Sequence, residues 1–298
     1  MLTEIFCVAD DFCKEFEKEF SKKTIDKQGR ARKARPCRLS RSEIITILIF
    51  FHHSKFRTFK DYYEILILVW NKSAFNGLVS YSRFVRLAQR EVLTLFIFSS
   101  SLCPKNSTGI HYIDSAPLKV CHNKRIPGNK TFKDVAKRGK SSVGWFFGFK
   151  LHFVINAHGE IVNFTITPGN ISDQNTKVMD YLTQNISGKL FGDKGYISSK
   201  LFKRLFKKGV TIITKIKRNM KNCFMDMVDK LLLKKRGVIE SVGNLLKNFC
   251  QVEHSRHRSL FGLLLNVFSG VAAYHFKNRK PSIFKSNKNS LELSQIVY

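Results

Sequence analysis

The chain has 298 residues, of which 43% are hydrophobic and 25% are charged, an ordinary globular balance that excludes wholesale disorder. Its 52 Lys and Arg against 22 Asp and Glu give a formal net charge of +30, an unusual load for an enzyme of small metabolites. Because like charges repel one another unless an anion screens them, this composition predicts a polyanionic partner, either nucleic acid or an anionic membrane.

The cysteines and the apolar runs indicate a protein of the cytoplasm. The seven cysteines include no C-x-x-C pair, which excludes a zinc ribbon and a secreted disulfide framework and favours a reducing compartment. The most apolar segment, 260–276, is shorter than the ~20 residues that span a bilayer, and it contains Asn266 and His275. It is predicted to be a buried core helix, and no membrane association is expected.

The N-terminal third of the chain is predicted to be helical. Residues 1–20 form the first helix of this prediction. The stretch 22–41 follows, with nine Lys or Arg and one acid, and is either a solvated linker or an arm that contacts phosphates. Ser40 and Glu43 have the spacing of a capping box, which predicts a helix start before the run IITILIFF.

A further helix is predicted to begin near residue 80, and it carries three arginines on one face. Arg83, Arg86 and Arg90 follow one another at spacings of three and four. Basic helices are typical of helix-turn-helix relatives, but the preceding connection, 71–79, is longer than the 3–4-residue turn of that motif. Two interpretations are therefore retained. The arginines contact DNA bases or backbone in a sequence-reading motif, or they are solvated charges on an ordinary helical bundle.

After Pro104 the pattern changes to strands. The five predicted strands are GIHYIDSAPLKV, GWFFGFKLHFVINA, EIVNFTITP, KLFGDKGY and VTIITKI. The first three form an antiparallel meander, helices separate the last two, and the chain after Met225 is again helical. This order predicts an α/β fold with a five-stranded mixed sheet in three layers, behind an all-helical N-terminal region.

The segment 121–142, between the first two predicted strands, is rich in Lys and Arg and has no apolar periodicity. It is predicted to be a loop. A basic loop at the edge of a sheet is suited to binding a phosphate backbone. The alternative is that it is an insertion whose charges face solvent, and the sequence does not distinguish the two.

Three acids stand where a metal site would be assembled. Asp114 lies within the first strand, Asp193 ends the fourth, and Glu240 lies on a predicted helix. Taken singly, each is more typical of a turn, a cap or a solvated surface. Taken together, they would repel one another unless paired, and Mg²⁺ suits carboxylates that share a site with phosphates. Two such ions clamp the attacking and leaving oxygens of a phosphoryl transfer.

Two cations accompany the third acid. Arg236 and Lys247 lie four residues before and seven residues after Glu240, so a continuous α-helix would place all three side chains on one face. In this arrangement both cations would face the scissile strand of a nucleic acid bound at the metal site.

The motifs IDS, GDKGY and R-x-x-x-E-x6-K together resemble the DDE transposases of bacterial insertion sequences. The segments KLHFVINAHGEI, TPGNISD and LFGDKGYIS are similar to the insertion sequence 982 family, and the resemblance covers about residues 30 to 278. It implies a ribonuclease H-like catalytic domain whose metal-binding and catalytic triad is Asp114, Asp193 and Glu240. Two Mg²⁺ ions, replaceable by Mn²⁺, are the implied cofactors.

The function that the resemblance implies is DNA transposition in a bacterial cytoplasm, at the nucleoid. The protein would bind the terminal inverted repeats of its element, hydrolyse the phosphodiester at each end and join the 3′-hydroxyl to target DNA, as a homodimer or larger complex. The corresponding domains are a helical DNA-binding region (1–105), the catalytic domain (106–278) and a C-terminal tail (279–298). The alternative is a non-catalytic DNA-binding protein derived from a transposase.

Further basic residues are candidates for DNA contacts. They are either phosphate contacts or charges that flank a strand and a helix, and they are Lys215, Lys217, Arg218, Arg256 and Arg258.

Overall fold

A computed structural model describes residues 1–21, 37–75, 77–216, 224–253 and 257–284. The helices are α1 (Leu2–Ser21), α2 (Arg41–Phe51), α3 (Phe59–Asp61), α4 (Tyr81–Arg90), α5 (Val92–Ser101), α6 (Thr176–Leu182), α7 (Ser199–Phe206), α8 (Met227–Lys234), α9 (Gly237–Asn244) and α10 (Leu260–His275). The π-helical segments Tyr62–Trp70 and Leu245–Phe249 continue α3 and α9. The strands are β1 (Ile110–Cys121), β2 (Lys137–Ser141), β3 (Gly144–Asn156), β4 (Ile161–Pro168), β5 (Gly188–Gly192) and β6 (Val210–Thr214).

The chain forms two compact units, and the first is helical. It comprises Met1–Leu102, Phe249–Val252 and Arg258–Phe276, so α10 belongs with α1 to α5. The second unit comprises Cys103–Asn248, Glu253–His257 and Lys277–Tyr298. This division differs from the predicted domains, which place α10 in the catalytic region 106–278.

The predicted start of α2 is confirmed. The Ser40 hydroxyl accepts a hydrogen bond from the Glu43 backbone N–H at 3.1 Å, and the Glu43 carboxylate accepts one from the Ser40 N–H at 2.6 Å. These two bonds satisfy amide groups that the first turn of a helix leaves unpaired. Nearly every residue of α2 is buried, because α1 and α10 pack against it.

Helix α10 is the buried core helix that its apolar sequence predicts, and it packs against α2 and α5. Ser269 sits in this core and makes a 2.8 Å hydrogen bond with the His52 ring. Across the described ranges, none of the helices combines the length and apolar character needed to cross a membrane.

The sheet of the second unit has the strand order β2-β3-β1-β5-β6, and β4 also pairs with β3. The pairs β1/β3, β2/β3 and β3/β4 are antiparallel, whereas β1/β5 and β5/β6 are parallel. Apart from β2, the order is that of the ribonuclease H-like fold, so the predicted fold class is confirmed. All five predicted strands are present, and β2 is a sixth within the segment predicted as a loop.

Helices cover both faces of this sheet. On one face, Ile113 and Val154 pack in a core with residues of α6 and α7. On the other face, the Tyr112 hydroxyl donates a hydrogen bond to the Leu232 carbonyl in α8, and α9 packs against β1. The predicted three-layer architecture follows from this alternation of the β1 side chains.

Candidate active site

Asp114 lies on β1, and Asp193 directly follows β5, the neighbouring parallel strand. The last paired positions of β1 and β5 are Tyr112 and Phe191, whose rings stack with centroids 5.4 Å apart. Each aspartate follows two residues after its aromatic residue, and the backbone at Asp193 is still extended (φ −78°, ψ −179°). Because side chains two residues apart share a face, the two carboxylates come next to each other where β5 ends.

The turn after β5 fixes the orientation of the Asp193 carboxylate. Its Oδ1 accepts a 2.7 Å hydrogen bond from the Gly195 N–H. A Cβ at Gly195 would lie only 2.8 Å from that same oxygen, so a side chain there would disturb the contact. The second glycine of GDKGY therefore allows the close approach of the backbone to the acid.

Arg236 links the first acid to the third. Its guanidinium lies 3.7 Å from the Asp114 carboxylate and donates to Glu240 Oε1 at 3.3 Å. Arg236 directly precedes α9, so the packing of this helix on β1 brings both Arg236 and Glu240 toward Asp114. The Glu240 side chain is 61% exposed, compared with 26% for Asp114.

The electrostatic surroundings of Asp114 disfavour its charge. Burial raises the pKa of the Asp114 carboxyl to about 6, the neighbouring carboxylates of Asp193 and Asp173 add to the increase, and the Ser115 N–H and Arg236 oppose it. A half-buried carboxyl beside other acids is the setting in which a bound cation stabilises the ionised form.

A fourth acid, Asp173, lies near this pair and is not among the residues predicted from the sequence. Asp173 Oδ1 accepts a hydrogen bond from Lys150 Nζ at 3.1 Å and lies 3.7 Å from the buried ring of His152. The next residue, Gln174, donates to the carbonyls of Gly195 and Ile197 at 2.5 and 3.1 Å. These bonds hold the loop after β4 against the turn that carries Asp193. The sequence feature that could have identified Asp173 is its position in TPGNISD, shortly after the end of a predicted strand.

The donor chemistry of the site fits a divalent cation, because carboxylate oxygens are the ligands that Mg²⁺ and Mn²⁺ take. The fit is clearest for the adjacent pair Asp114 and Asp193. In the described part of the chain, no three acid, His or Cys side chains are close enough together to hold one ion. Glu240 is instead held by Arg236.

Lys247 lies in the π-helical turn that follows α9 and not in a continuous α-helix. The α-helix ends at Asn244 and continues as a π-helical turn, which changes the rotation between residues 240 and 247. Lys247 Nζ pairs with Glu253 at 3.5 Å. Arg236 and Glu240 are thus brought together, whereas Lys247 has another partner.

The other predicted DNA contacts are distributed over both units. Arg83, Arg86 and Arg90 are exposed along α4, opposite the buried Phe84 and Leu87. Lys215 is exposed after β6 in the second unit, and Arg258 is exposed in the first. Lys217, Arg218 and Arg256 lie outside the described residues, as does most of the basic stretch 22–41.

Comparisons with known proteins bear on this site. A family model described as a transposase DDE domain matches residues 105–260. Among solved structures, the chain is similar to a cryo-EM structure of the piggyBac transposase synaptic complex with hairpin DNA. The TM-score is 0.49 and the sequence identity 11%, over 93% of this chain and 71% of that chain. No curated protein matches the chain. The family match includes Asp114, Asp193 and Glu240.

Proposed function

Because its residues 105–260 match that model, the chain belongs to the transposase DDE domain family, and from this premise we propose that it mobilises an insertion sequence. It binds the terminal inverted repeats, hydrolyses the phosphodiester at each end and joins the freed 3′-hydroxyl to target DNA. Its motifs resemble those of the insertion sequence 982 family, and the proposal is that it belongs to this group. Two ends must be processed together, so the active complex contains at least two copies of the chain.

The observation that carries this proposal is that Asp114 and Asp193 each follow two residues after a paired position of the parallel strands β1 and β5, while Arg236 lies 3.7 Å from Asp114 and donates to Glu240. Asp114 and Asp193 would hold Mg²⁺, and Glu240 would complete the ligand set. When bound to such carboxylates, Mg²⁺, or Mn²⁺ in its place, supplies activation of the attacking oxygen and stabilisation of the leaving oxygen. In-line displacement by water or a 3′-hydroxyl needs no covalent protein–DNA intermediate.

The residues around the triad have supporting roles in this proposal. Arg236 offsets part of the negative charge of Asp114 and Glu240, and its guanidinium is placed to contact a phosphate that enters beside them. The Gly195 N–H and the Gln174 bonds keep Asp193 in one orientation. Preorganised groups of this kind lower the barrier because they need not reorganise during the reaction.

The alternative function, non-catalytic DNA binding, draws support from the exposure of Glu240 and its pairing with Arg236. Both functions require DNA binding, and only transposition requires cutting. A cleavage assay separates them.

The test is strand cleavage of DNA that contains the element's end, with Mg²⁺ or Mn²⁺. We expect Asp114→Asn, Asp193→Asn and Glu240→Gln each to reduce the cleavage rate by at least about a thousandfold, because each change removes a charged metal ligand. Binding of the same DNA should stay within a few-fold of the wild-type level. Gel-shift titrations and product quantification on one set of samples measure both quantities.

The matched control is Asp226→Asn, which removes an exposed acid from the same unit. It should cut at the wild-type rate. A triad variant that also cuts at that rate would remove its residue from the site. Wild-type protein that binds end DNA but never cuts it would favour the alternative function.

A further inference from the structure

The β2–β3 hairpin presents an exposed tryptophan at its tip. β2 pairs antiparallel with the first residues of β3, and the turn between them closes at Gly144, whose φ is +132°. The Ser141 hydroxyl donates a hydrogen bond to the Gly144 carbonyl across this turn. Beside the turn, Trp145 is 63% exposed and Val143 is 89% exposed. Large apolar side chains that are exposed at the end of a hairpin are typical of a binding surface.

The outer face of this hairpin combines the indole with cations. Lys140 pairs directly with Trp145 and Arg138 with Phe147, so Arg138, Lys140 and Trp145 share one face. Lys140 Nζ lies 5.8 Å from the centre of the Trp145 ring. Opposite-face packing keeps the hairpin in place, because Phe146 is buried and a Cβ at Gly139 would collide with the Gly169 carbonyl.

The charge around the hairpin identifies the class of ligand. Between residues 119 and 145 the sequence has one acid, Asp134, against many exposed cations. Those cations are Lys119, Lys124, Arg125, Lys130, Lys133, Lys137, Arg138 and Lys140. A second copy of a chain with net charge +30 would be repelled by this surface, whereas a phosphate backbone would be attracted to it.

We propose that Trp145 stacks on a base of bound DNA while Arg138 and Lys140 bind the phosphates beside it. An indole face stacks on any base, so this contact is tolerant of sequence and is strongest where a base is unpaired or the duplex is distorted. The inference rests on the proposed function, in that the ligand is the DNA on which the protein acts.

The hairpin contacts DNA away from the bond that is cut. Asp114 pairs with Phe153, and Trp145 lies eight residues earlier on the same strand. At ~3.4 Å per residue this is roughly 25 Å along β3, which corresponds to about seven or eight base pairs of duplex. Trp145 therefore does not touch the reacting phosphate, and a DNA too short to reach the hairpin does not sense its loss.

The experiment uses the two tryptophans of the chain, Trp70 and Trp145, which are exposed to a similar extent. In the full-length Trp70→Phe protein, Trp145 is the sole indole, and its fluorescence should be quenched by end DNA that carries an unpaired base. Trp145→Ala should weaken binding of that DNA by about fivefold or more, as expected for loss of one base stack. Trp145→Phe should retain most of the affinity, and the matched control Trp70→Ala should bind like wild type.

The results separate this inference from the proposed function. If wild-type protein binds and cuts end DNA but Trp145→Ala binds it equally well and the indole is not quenched, the hairpin proposal is wrong and the proposed function stands. A change in oligomeric state without a change in DNA affinity would also overturn it, in favour of an interface between copies. If the wild type binds no DNA, the proposed function is wrong and this inference is wrong with it.

Discussion

Burial of the polar nitrogens of the His111 ring on β1 lowers the free energy of unfolding. It is 1% exposed, and both of its ring nitrogens lack a hydrogen-bond partner within the described parts of the chain. Burial lowers its pKa to about 4 from the ordinary 6.5. Between these values the unfolded chain binds a proton that the folded chain does not. The pH-dependent contribution of His111 to the free energy of unfolding is therefore fully present above about pH 6.5, and it is lost as the pH falls toward 4.

We expect His111→Met to raise the free energy of unfolding by about 1 kcal/mol at neutral pH, because it removes an unpaired buried polar group at similar volume. The loss of stability between pH 6.5 and 4 should also become shallower. It will not vanish, because burial also lowers the pKa values of His52 and His152, to about 3 and about 4. Thermal denaturation across this pH range measures both effects.

The exposed His158 provides the control, and His158→Met should change neither quantity appreciably. An unchanged pH profile in the His111 variant would show that this residue already has a polar partner in solution.

The candidate site shows which side chains a sequence can place. Asp114, Asp193 and Glu240 stand out as acids in a basic chain, and their strand and helix positions follow from local apolar patterns. The surroundings of Asp173 do not follow, because they depend on Lys150 and His152, which reach it through the pairing of β3 with β4. The ion pair of Lys247 is equally a product of tertiary packing.

Among the elements, the five apolar strands are predictable and β2 is not. The sequence of β2, KRGKS, has none of the alternating apolar residues that identify a strand. Its backbone is held by hydrogen bonds to β3, and its polar side chains suit the edge of a sheet. Likewise, one predicted helix after residue 80 proves to be two, α4 and α5, divided at Glu91, where the backbone leaves the helical conformation.

Helix α4 has one buried face and one basic face, which makes it the best candidate in the first unit for contacting the terminal repeats. We expect the triple variant Arg83→Gln, Arg86→Gln, Arg90→Gln to bind end DNA more weakly. The slope of log K against log salt should flatten by about 1 for each phosphate that the variant no longer neutralises. Fluorescence anisotropy on terminal-repeat and scrambled DNA at two salt concentrations measures both the affinity and the slope.

A second triple variant with the same change in charge serves as control: Arg57→Gln, Lys60→Gln, Lys72→Gln. These residues are exposed in the same unit but lie outside α4. Equally weakened binding by the two variants would mean that the effect comes from net charge alone, and α4 would then be an ordinary solvated helix.

At the scale of the whole molecule, the first unit is assembled from separate parts of the chain. Helix α10 contributes ten buried residues to it, Leu263, Leu265, Val267, Phe268, Ser269, Gly270, Val271, Ala272, Ala273 and Tyr274. Burying one large aliphatic or aromatic side chain is worth about 1.5–3 kcal/mol, so the loss of this helix would remove a large part of the 5–15 kcal/mol that stabilises a typical domain.

We therefore expect the fragment 1–105 to show no cooperative thermal transition by circular dichroism. A fusion of 1–102 to 258–276 through a flexible linker should melt cooperatively, because it restores the packing of α10 against α2 and α5. The matched control is the same fusion with Val271→Asp, which places a charge in that core and should abolish the transition. Cooperative melting of 1–105 alone would contradict this account.

The split of the first unit also sets an order of events on the ribosome. Its N-terminal helices are synthesised first, yet about 160 residues separate them from the helix that completes their core, a delay on the order of 10–30 s at ~5–20 residues per second. The sheet of the second unit, which lies within that interval of sequence, can emerge and pair before the helical core closes. A nascent chain interrupted in this interval would carry the basic helices with an exposed apolar surface, a state that favours chaperone binding and degradation.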